Sequence, residues 1–206
     1  GMDFDAGMSE VQALSGATGA DLGRLREKAK QMGATTKFSA TESAEALKHM
    51  SLAGWDANEM LEGADGILAA AAASGEELGL VADIITDNLS AFGLSAKEST
   101  MMADGLAKTS TETNTSIAEL GEAFKYSGAA ASASGMEFQE ASAFLGLLAN
   151  NSIKGSSGGT VLNAVLRDMK KNAEGGKLAI GETSVAIYDA NGNRRKFADI
   201  IADVEG

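Results

Sequence analysis

Apolar residues recur along most of the chain at the three- and four-residue spacing of one helix face. The stripes comprise Leu78, Val81, Ala82, Ile85, Leu89 and Phe92; Ile117, Leu120 and Phe124; Phe138, Ala141, Leu145 and Leu148; and Val161, Leu162, Val165, Leu166 and Met169. This spacing predicts amphipathic helices. Each stripe needs a partner surface, and the other stripes are the nearest candidates. Strand-like alternation is nearly absent before Ser184, so the pattern predicts a mainly α protein.

Helix starts and stops are marked clearly along the sequence. A capping box places a small polar residue three positions before an acid, and each side chain satisfies an N–H of the first turn. The candidates are Ser39 with Glu42, Asp56 with Glu59, Ser74 with Glu77, Ser95 with Glu98, and Ser116 with Glu119. Glycine ends a helix cheaply because it adopts positive φ. The predicted stops are Gly33, Gly54, Gly93 and Gly135.

One block of sequence returns in degenerate form. "FSATES" at 38–43 recurs as "LSAKES" at 94–99 and more weakly as "MEFQEA" at 136–141. A helix follows each block, then a polar or Gly-rich break ("AGWD", "STETNTS" or "NNSIKGSSGGT"), then a second helix. This order predicts a multi-helix array of degenerate helix-loop-helix units, each burying its apolar face on a neighbour. Trp55, directly after the Gly54 stop, is expected to anchor the first bend.

A small β-hairpin is predicted near the C-terminus. The β-type run Val185–Tyr188 precedes Asn191-Gly192, which is a strong hairpin-turn signal. Asp189, Asn191 and Asn193 imitate the start of a calcium loop. However, Arg194 stands where that loop needs Gly, and Ile200 stands where it needs Glu, so no metal site is predicted.

The predicted division of the chain is a helical region at 1–183 and a hairpin with the start of a truncated helix at 184–206. Gly1 in place of Met, and the helix-like ending "FADIIADVEG", lead us to expect a piece of a much longer protein.

Composition narrows the possible functions. The chain of 206 residues has 44% hydrophobic residues, only 5% aromatics, 25 Gly and no Pro. The absence of Pro suits helices, and the glycines are interpreted as punctuation between them. A net charge of −12 argues against a nucleic-acid surface, which depends on Lys and Arg. With no Cys there is no disulfide or zinc-thiolate site, and no apolar run approaches the length of a membrane span.

Three features invite a chemical interpretation, and none predicts a catalytic, cofactor or metal site. "GSSGGTVLN", which includes Gly155 and Gly159, resembles a phosphate-binding loop but lacks its Lys and does not follow a strand. A helix-capping connector is the preferred interpretation. His49 is the only His, and spacing implies no partner for it. Carboxylates are numerous enough that composition leaves a glycosidase pair open.

Several segments occur in an order that resembles a known family. They are "SGATG" (15–19), "GATTKFSATESAEAL" (33–47), "LAGWD" (52–56), "LSAFGLSA" (89–96), "NTSIAELGEAFKY" (114–126), "IKGSSGGT" (153–160) and "YDANGN" (188–193). The series is similar to the core region of the phage tail tape measure protein family. Ser127-Gly128 departs from the Ala-Pro-like pair that family members often have there.

The resemblance implies a non-catalytic structural role in a phage or prophage tail. Tape measure proteins occupy the tail lumen, set its length, and support assembly and genome delivery. Implied partners are tail tube proteins, tail tip proteins and assembly chaperones, and self-association through an Ala-rich face is a further expectation. The implied locations are the virion tail and, during assembly, the host cytoplasm. Two alternatives stay open: a cell-wall hydrolase module of a tail protein, and a helical protein-binding module of a bacterial secretion or toxin system.

Overall fold

The protein is mainly α-helical, as the apolar spacing predicts. The structure is a computed structural model that describes residues 2–174, 176–180 and 183–205. The helices of the described residues are α1 Met2–Ser15, α2 Gly19–Thr35, α3 Ala40–Leu52, α4 Ala57–Ser74, α5 Leu78–Ala91, α6 Ser99–Glu112, α7 Ile117–Ala133, α8 Phe138–Asn150, α9 Gly155–Asn172 and α10 Phe197–Glu205. A 3₁₀ turn, Ala96–Glu98, leads into α6.

Helices α1–α9 form two layers. The odd-numbered helices pack in sequence, α1 on α3, α3 on α5, α5 on α7 and α7 on α9. The even-numbered helices form the second layer, in which α2 contacts α4, α4 contacts α6 and α6 contacts α8. Helices adjacent in the chain, such as α2 and α3 or α4 and α5, pack across the two layers. The result is the predicted array, in which each helix mainly contacts its near neighbours in sequence, as in repeat proteins.

The core lies between the layers and is filled by the predicted apolar stripes. In α5, for example, Val81, Ile85 and Leu89 are at most 1% exposed. Large aromatic rings contribute more than the composition indicates. Phe92, Phe124 and Phe138 form a cluster with ring centroids 5.2–5.9 Å apart, which joins the end of α5, the middle of α7 and the start of α8. Edge-to-face and offset rings at this distance add to the energy of area burial.

A three-stranded antiparallel sheet follows α9. Its strands are β1 Ala173–Glu174, β2 Lys177–Ile180 and β3 Thr183–Ala186, in the order β1-β2-β3. Residue Leu178 pairs with Ala173 on one side and with Val185 on the other. The sequence pattern predicted strand structure only from Ser184 onward, so β1 and β2 were missed. β1 has only two residues, and β2 has the sequence Lys-Leu-Ala-Ile, in which three consecutive apolar residues replace alternation.

The predicted hairpin turn lies just beyond this sheet. Tyr188 forms a β-bridge with Arg194 across Asn191-Gly192, and Gly192 has φ +81°. The N–H of Arg195 donates to the carbonyl oxygen of Ile187 at 2.8 Å, which continues the pairing. The sheet includes residues from both sides of the predicted 183/184 boundary, and the division into two regions stays a prediction.

Candidate functional site

The turn between α3 and α4 answers why the sequence stops a helix at Gly54 and starts another two residues later. Gly54 has φ +88° and donates its N–H to the carbonyl oxygen of Ser51 at 3.0 Å. The N–H of Trp55 donates to the carbonyl oxygen of Met50 at 3.1 Å. This pair of bonds is a Schellman motif, which satisfies the last carbonyls of a helix. Asp56 then caps α4, so the chain reverses within four residues.

The same turn recurs at three later junctions. Its left-handed residue is Gly93 (φ +64°), Gly135 (φ +79°) or Ser152 (φ +64°). In each case the following apolar residue donates its N–H five positions back: Leu94 to Leu89, Met136 to Ala131 and Ile153 to Leu148, at 2.8, 2.9 and 3.0 Å. Ser152 is the only residue other than Gly with positive φ among the described residues. A Schellman turn therefore precedes two of the three repeated blocks, 94–99 and 136–141, whereas an extended segment at Thr36 precedes the block at 38–43.

Capping boxes open α3, α4 and α7. At the first, the N–H of Glu42 donates to the hydroxyl of Ser39 at 3.1 Å, and the N–H of Ser39 donates to the Glu42 carboxylate at 2.7 Å. The backbone N–H of Ser39, and then its hydroxyl, lower the pKa of Glu42 below its ordinary value. Asp56 with Glu59 and Ser116 with Glu119 have the same geometry.

Ser95 and Glu98 form a related box before α6. The Glu98 carboxylate accepts the backbone N–H of Ser95 at 2.8 Å and the Ser95 hydroxyl at 2.7 Å. These two bonds, the hydroxyl first, lower the pKa of Glu98. The predicted box at Ser74 is absent. Gly75, at φ +74°, ends α4 directly after Ser74, so α5 starts at Leu78 without a side-chain cap.

Trp55 lies half-buried in the turn between α3 and α4. A Cβ built on Gly63 of α4 would collide with the Trp55 ring, which shows that the ring lies flush against the helix backbone. This is the arrangement that an anchor of the bend requires. The role of Trp55 in fixing the bend stays a prediction.

Many glycines are contact points between helices rather than punctuation, which corrects the interpretation from composition. A Cβ on Gly66 of α4 would lie 2.8 Å from the Thr100 Cα of α6. A Cβ on Gly121 of α7 would lie 2.7 Å from Ile84 of α5. The predicted stop at Gly33 is also wrong. The helix continues to Thr35, and a Cβ on Gly33 would lie 2.5 Å from the backbone N of Ala40.

Gly155 and Gly159 do not form a long connector or a phosphate-binding loop. Helix α9 starts at Gly155, which has φ +59°, so the break shrinks to residues 151–154. Gly159 lies one turn inside the helix, where a Cβ would collide with the carbonyl oxygen of Ala123 on α7. The Gly-rich composition of this segment therefore reflects a close approach of α9 to α7.

His49 has partners that spacing along the chain did not reveal. Its Nδ1 lies 3.4 Å from an Asp83 carboxylate oxygen on α5, and its Nε2 lies 3.7 Å from Glu45 on α3. Asp83 is 34 residues away in sequence and reaches His49 only because α3 and α5 are neighbours in one layer. These contacts are partly exposed and link two helices.

The calcium-like run serves the hairpin turn. One carboxylate oxygen of Asp189 accepts the N–H groups of Asn191 and Asn193, both at 2.9 Å. Over the part of the chain that the structure describes, no group of three or more His, Asp or Glu could hold a metal ion. No described helix is long and apolar enough to cross a membrane. The polar groups placed by the fold act in caps, turns and surface ion pairs.

The chain is similar to phage tail proteins along most or all of its length. Residues 26–206 match the model of a family described as phage-related minor tail protein. The chain is 36% identical over its full length to the tape measure protein of Pneumococcus phage Dp-1 and covers 18% of that protein. It is 28% identical over its full length to the probable tape measure protein of Escherichia phage P2 and covers 25% of it. No solved structure matches the chain.

Proposed function

Because this chain belongs to the phage-related minor tail protein family, we propose that it is a non-catalytic structural segment of a tape measure protein. In this role it helps to set the length of a phage or prophage tail and supports tail assembly. The observation that carries the proposal is the similarity to two tape measure proteins along the whole chain. The chain spans a quarter or less of those relatives, so the proposal concerns one segment of such a protein.

The architecture supports a structural role. Neighbour-to-neighbour packing lets an array grow in one direction by adding units, and the stability of such an array is close to a sum over units and their contacts. Several contacts within the layers are made at glycine positions, such as Gly66, Gly121 and Gly159, and these positions bury little side-chain area. Such contacts can be opened at modest cost if the chain extends inside the tail.

The proposal that the segment is non-catalytic is supported by the use of its acidic groups. Four glutamates, Glu42, Glu59, Glu98 and Glu119, accept N–H groups in capping boxes. His49 lies 3.7 Å and 3.4 Å from the carboxylates of Glu45 and Asp83 rather than beside a hydroxyl nucleophile. This placement stabilises helices, which supports a structural use of these groups.

The proposed partners and locations follow from the family. Tail tube proteins, tail tip proteins and assembly chaperones are the proposed partners, with the virion tail as the final location and the host cytoplasm as the site of assembly. A contribution to genome delivery belongs to the same proposal.

Tail length tests the proposal. In the phage or prophage gene that encodes this chain, the coding segment for 1–206 is duplicated in frame, and tails are measured by electron microscopy. A length-setting role predicts longer tails, by at most about 300 Å if the added segment is fully helical and extended. A control, Gly159→Leu, disturbs the fold without changing chain length and should leave tail length unaltered in the tails that form. Assembled tails of unchanged length after duplication would contradict the proposal.

A second experiment tests the absence of catalysis. The purified chain is incubated with bacterial peptidoglycan, and solubilised fragments are measured over time. We expect no cleavage above buffer. Cleavage that a single carboxylate substitution abolishes would establish the hydrolase alternative instead. The secretion or toxin alternative is tested by the neighbouring genes, where we expect tail tube and tail completion genes.

A further inference from the structure

A groove between α5 and α7 has no role in the packing described above. Its volume is about 410 Å³, which is within the usual range for ligand pockets. Ile84 of α5 and Phe124 of α7 form the floor, and both are at most 6% exposed. Leu80, at 38% exposed, adds an apolar side chain at the rim. The apolar floor is therefore narrow, and Leu80 is the large apolar side chain that the groove exposes.

The rim of the groove is acidic. Asp83, Asp87 and Glu122 line it, and Lys125 is the single basic side chain among the lining residues. Lys125 lies 3.5 Å from Glu122, and His49 lies 3.4 Å from Asp83. Asp87 has no ion-pair partner among the described residues. One carboxylate at the rim thus lacks a cation.

A buried amide points into the same groove. Asn88 is 4% exposed, and its Nδ2 donates to the carbonyl oxygen of Ile84 at 2.8 Å. Its carbonyl oxygen faces α7, 3.9 Å from where a Cβ on Gly128 would lie, and it accepts no hydrogen bond from the described residues. This oxygen is open to solvent in the groove, and a donor from a bound molecule would take the place of water there.

The pKa of Asp87 also favours a bound cation in the groove. Partial burial against the groove raises the pKa of Asp87, and the nearby Asp83 carboxylate raises it further. Lys125 and His49 each lower the pKa of Asp87, but its net shift remains upward. The surroundings therefore disfavour the ionised Asp87, and a cation placed in the groove would relieve this.

We propose that the α5–α7 groove binds a cationic amphipathic segment of a partner protein. An apolar side chain of that segment packs on Ile84 and Phe124, while a lysine or arginine next to it donates to Asp87 and Asn88. This combination of apolar anchor and flanking charge is typical of a helix bound in a groove. A second copy of this chain is a poorer occupant because two chains of net charge −12 repel each other. The inference stands independently of the proposed tail function.

Binding of a model peptide tests the proposal. The probe is a fluorescein-labelled 18-residue peptide with Leu at helical spacing and Lys beside it, titrated with the purified chain in about 0.15 M salt and followed by fluorescence anisotropy. We expect Asp87→Lys to weaken binding at least about tenfold. The matched control is Asp104→Lys, which makes the same charge change on the exposed surface of α6 and should alter affinity less than about twofold. Both variants should retain the thermal midpoint of the parent chain.

Other outcomes would overturn the inference. Equal losses in the two variants would show that the peptide senses only net charge, and no binding by the parent chain would remove the site altogether. Replacing the Leu residues of the peptide by Ser should also weaken binding. An unchanged affinity would show that the apolar floor does not contribute to binding. Sedimentation measures whether the chain self-associates. Self-association that Asp87→Lys abolishes would assign the groove to a second copy instead.

Discussion

At the scale of single residues, the turns rest on backbone conformation more than on side-chain contacts. Gly54 ends α3 at φ +88°, and nothing lies within 4 Å of the position that its Cβ would take. The constraint on this residue is therefore the left-handed backbone alone. Four junctions share this design, and each saves the chain a longer loop.

Replacing Gly54 should show the cost of that conformation. Gly54→Ala is expected to lower the free energy of unfolding by about 1 kcal/mol because a Cβ disfavours positive φ. Gly23→Ala is the control, since Gly23 lies inside α2 with open space around it. There Ala should stabilise the chain by up to about 1 kcal/mol. Chemical denaturation measures both, and equal effects of the same sign would show that the turn is misassigned.

At Ser152 the opposite substitution, from an L residue to glycine, tests the same conformation. It occupies the left-handed position of the α8–α9 turn, where an L residue is penalised by about 1–2 kcal/mol. Ser152→Gly removes that strain and adds unfolded-state entropy, so a net gain of a few tenths to about 1 kcal/mol is expected. A lower thermal midpoint than the parent chain would mean that the Ser152 side chain contributes more than its backbone costs.

The stability that the first capping box provides should depend on pH through the Glu42 carboxylate. Its pKa in the folded chain lies below the ordinary value of 4.5, so its contribution to stability is present above that pH. The contribution is lost as the pH falls through the folded pKa. The difference in unfolding free energy between the parent chain and Glu42→Gln should therefore be largest near neutral pH and shrink below about pH 4.5. Glu62→Gln, an exposed carboxylate in α4, is the control, and a gap that grows with acid would contradict the capping role.

At the scale of helices and strands, glycine controls how closely neighbours within a layer approach. Gly66, Gly121 and Gly159 each lie where a Cβ would be in conflict with the next helix of the same layer. Such contacts let backbones meet without large side chains, which explains how a chain with few aromatics fills a core.

Gly159 is the most restrictive of these positions because it faces backbone rather than a movable side chain. Gly159→Ala should destabilise the chain by about 1–3 kcal/mol, the range for overpacking. Gly128→Ala is the matched control. It lies in α7, where the new Cβ would be in ordinary contact at 3.5 Å from Ala91. Thermal and chemical unfolding of both variants measure the difference, and a tolerated Gly159→Ala would mean that α9 packs less closely on α7.

Much of this element structure can be predicted from sequence because it is local. Capping boxes and Schellman stops need only a few adjacent residues, so the bends at Gly54, Gly93 and Gly135 are recognisable. The contacts of Gly33 and Gly159 cannot be recognised in this way, because they depend on a partner helix that folding brings near. The His49–Asp83 contact escapes for the same reason. Strand β1 is too short to show a period, and β2 has three consecutive apolar residues instead of alternation. The groove between α5 and α7 exists only once both helices are placed.

At the scale of the whole molecule, the chain is an acidic two-layer array whose units contact mainly their neighbours. Family membership makes it a tail component, and the array gives that assignment a physical form. An extended state inside a tail would have to break contacts within and between the layers. Where glycine forms these contacts, as at Gly66, Gly121 and Gly159, little side-chain area would have to be exposed on opening.

Solution scattering on the purified chain measures whether these helices pack on their neighbours or run on as a rod. A compact chain of 206 residues has a radius of gyration of about 17 Å, and stacking in one direction should raise this only slightly. A single continuous helix of this length would span about 300 Å and give a rod-like profile. We expect a monomer with a radius of gyration near the compact value. A rod-like profile for a monomer would contradict both the bends and the layers.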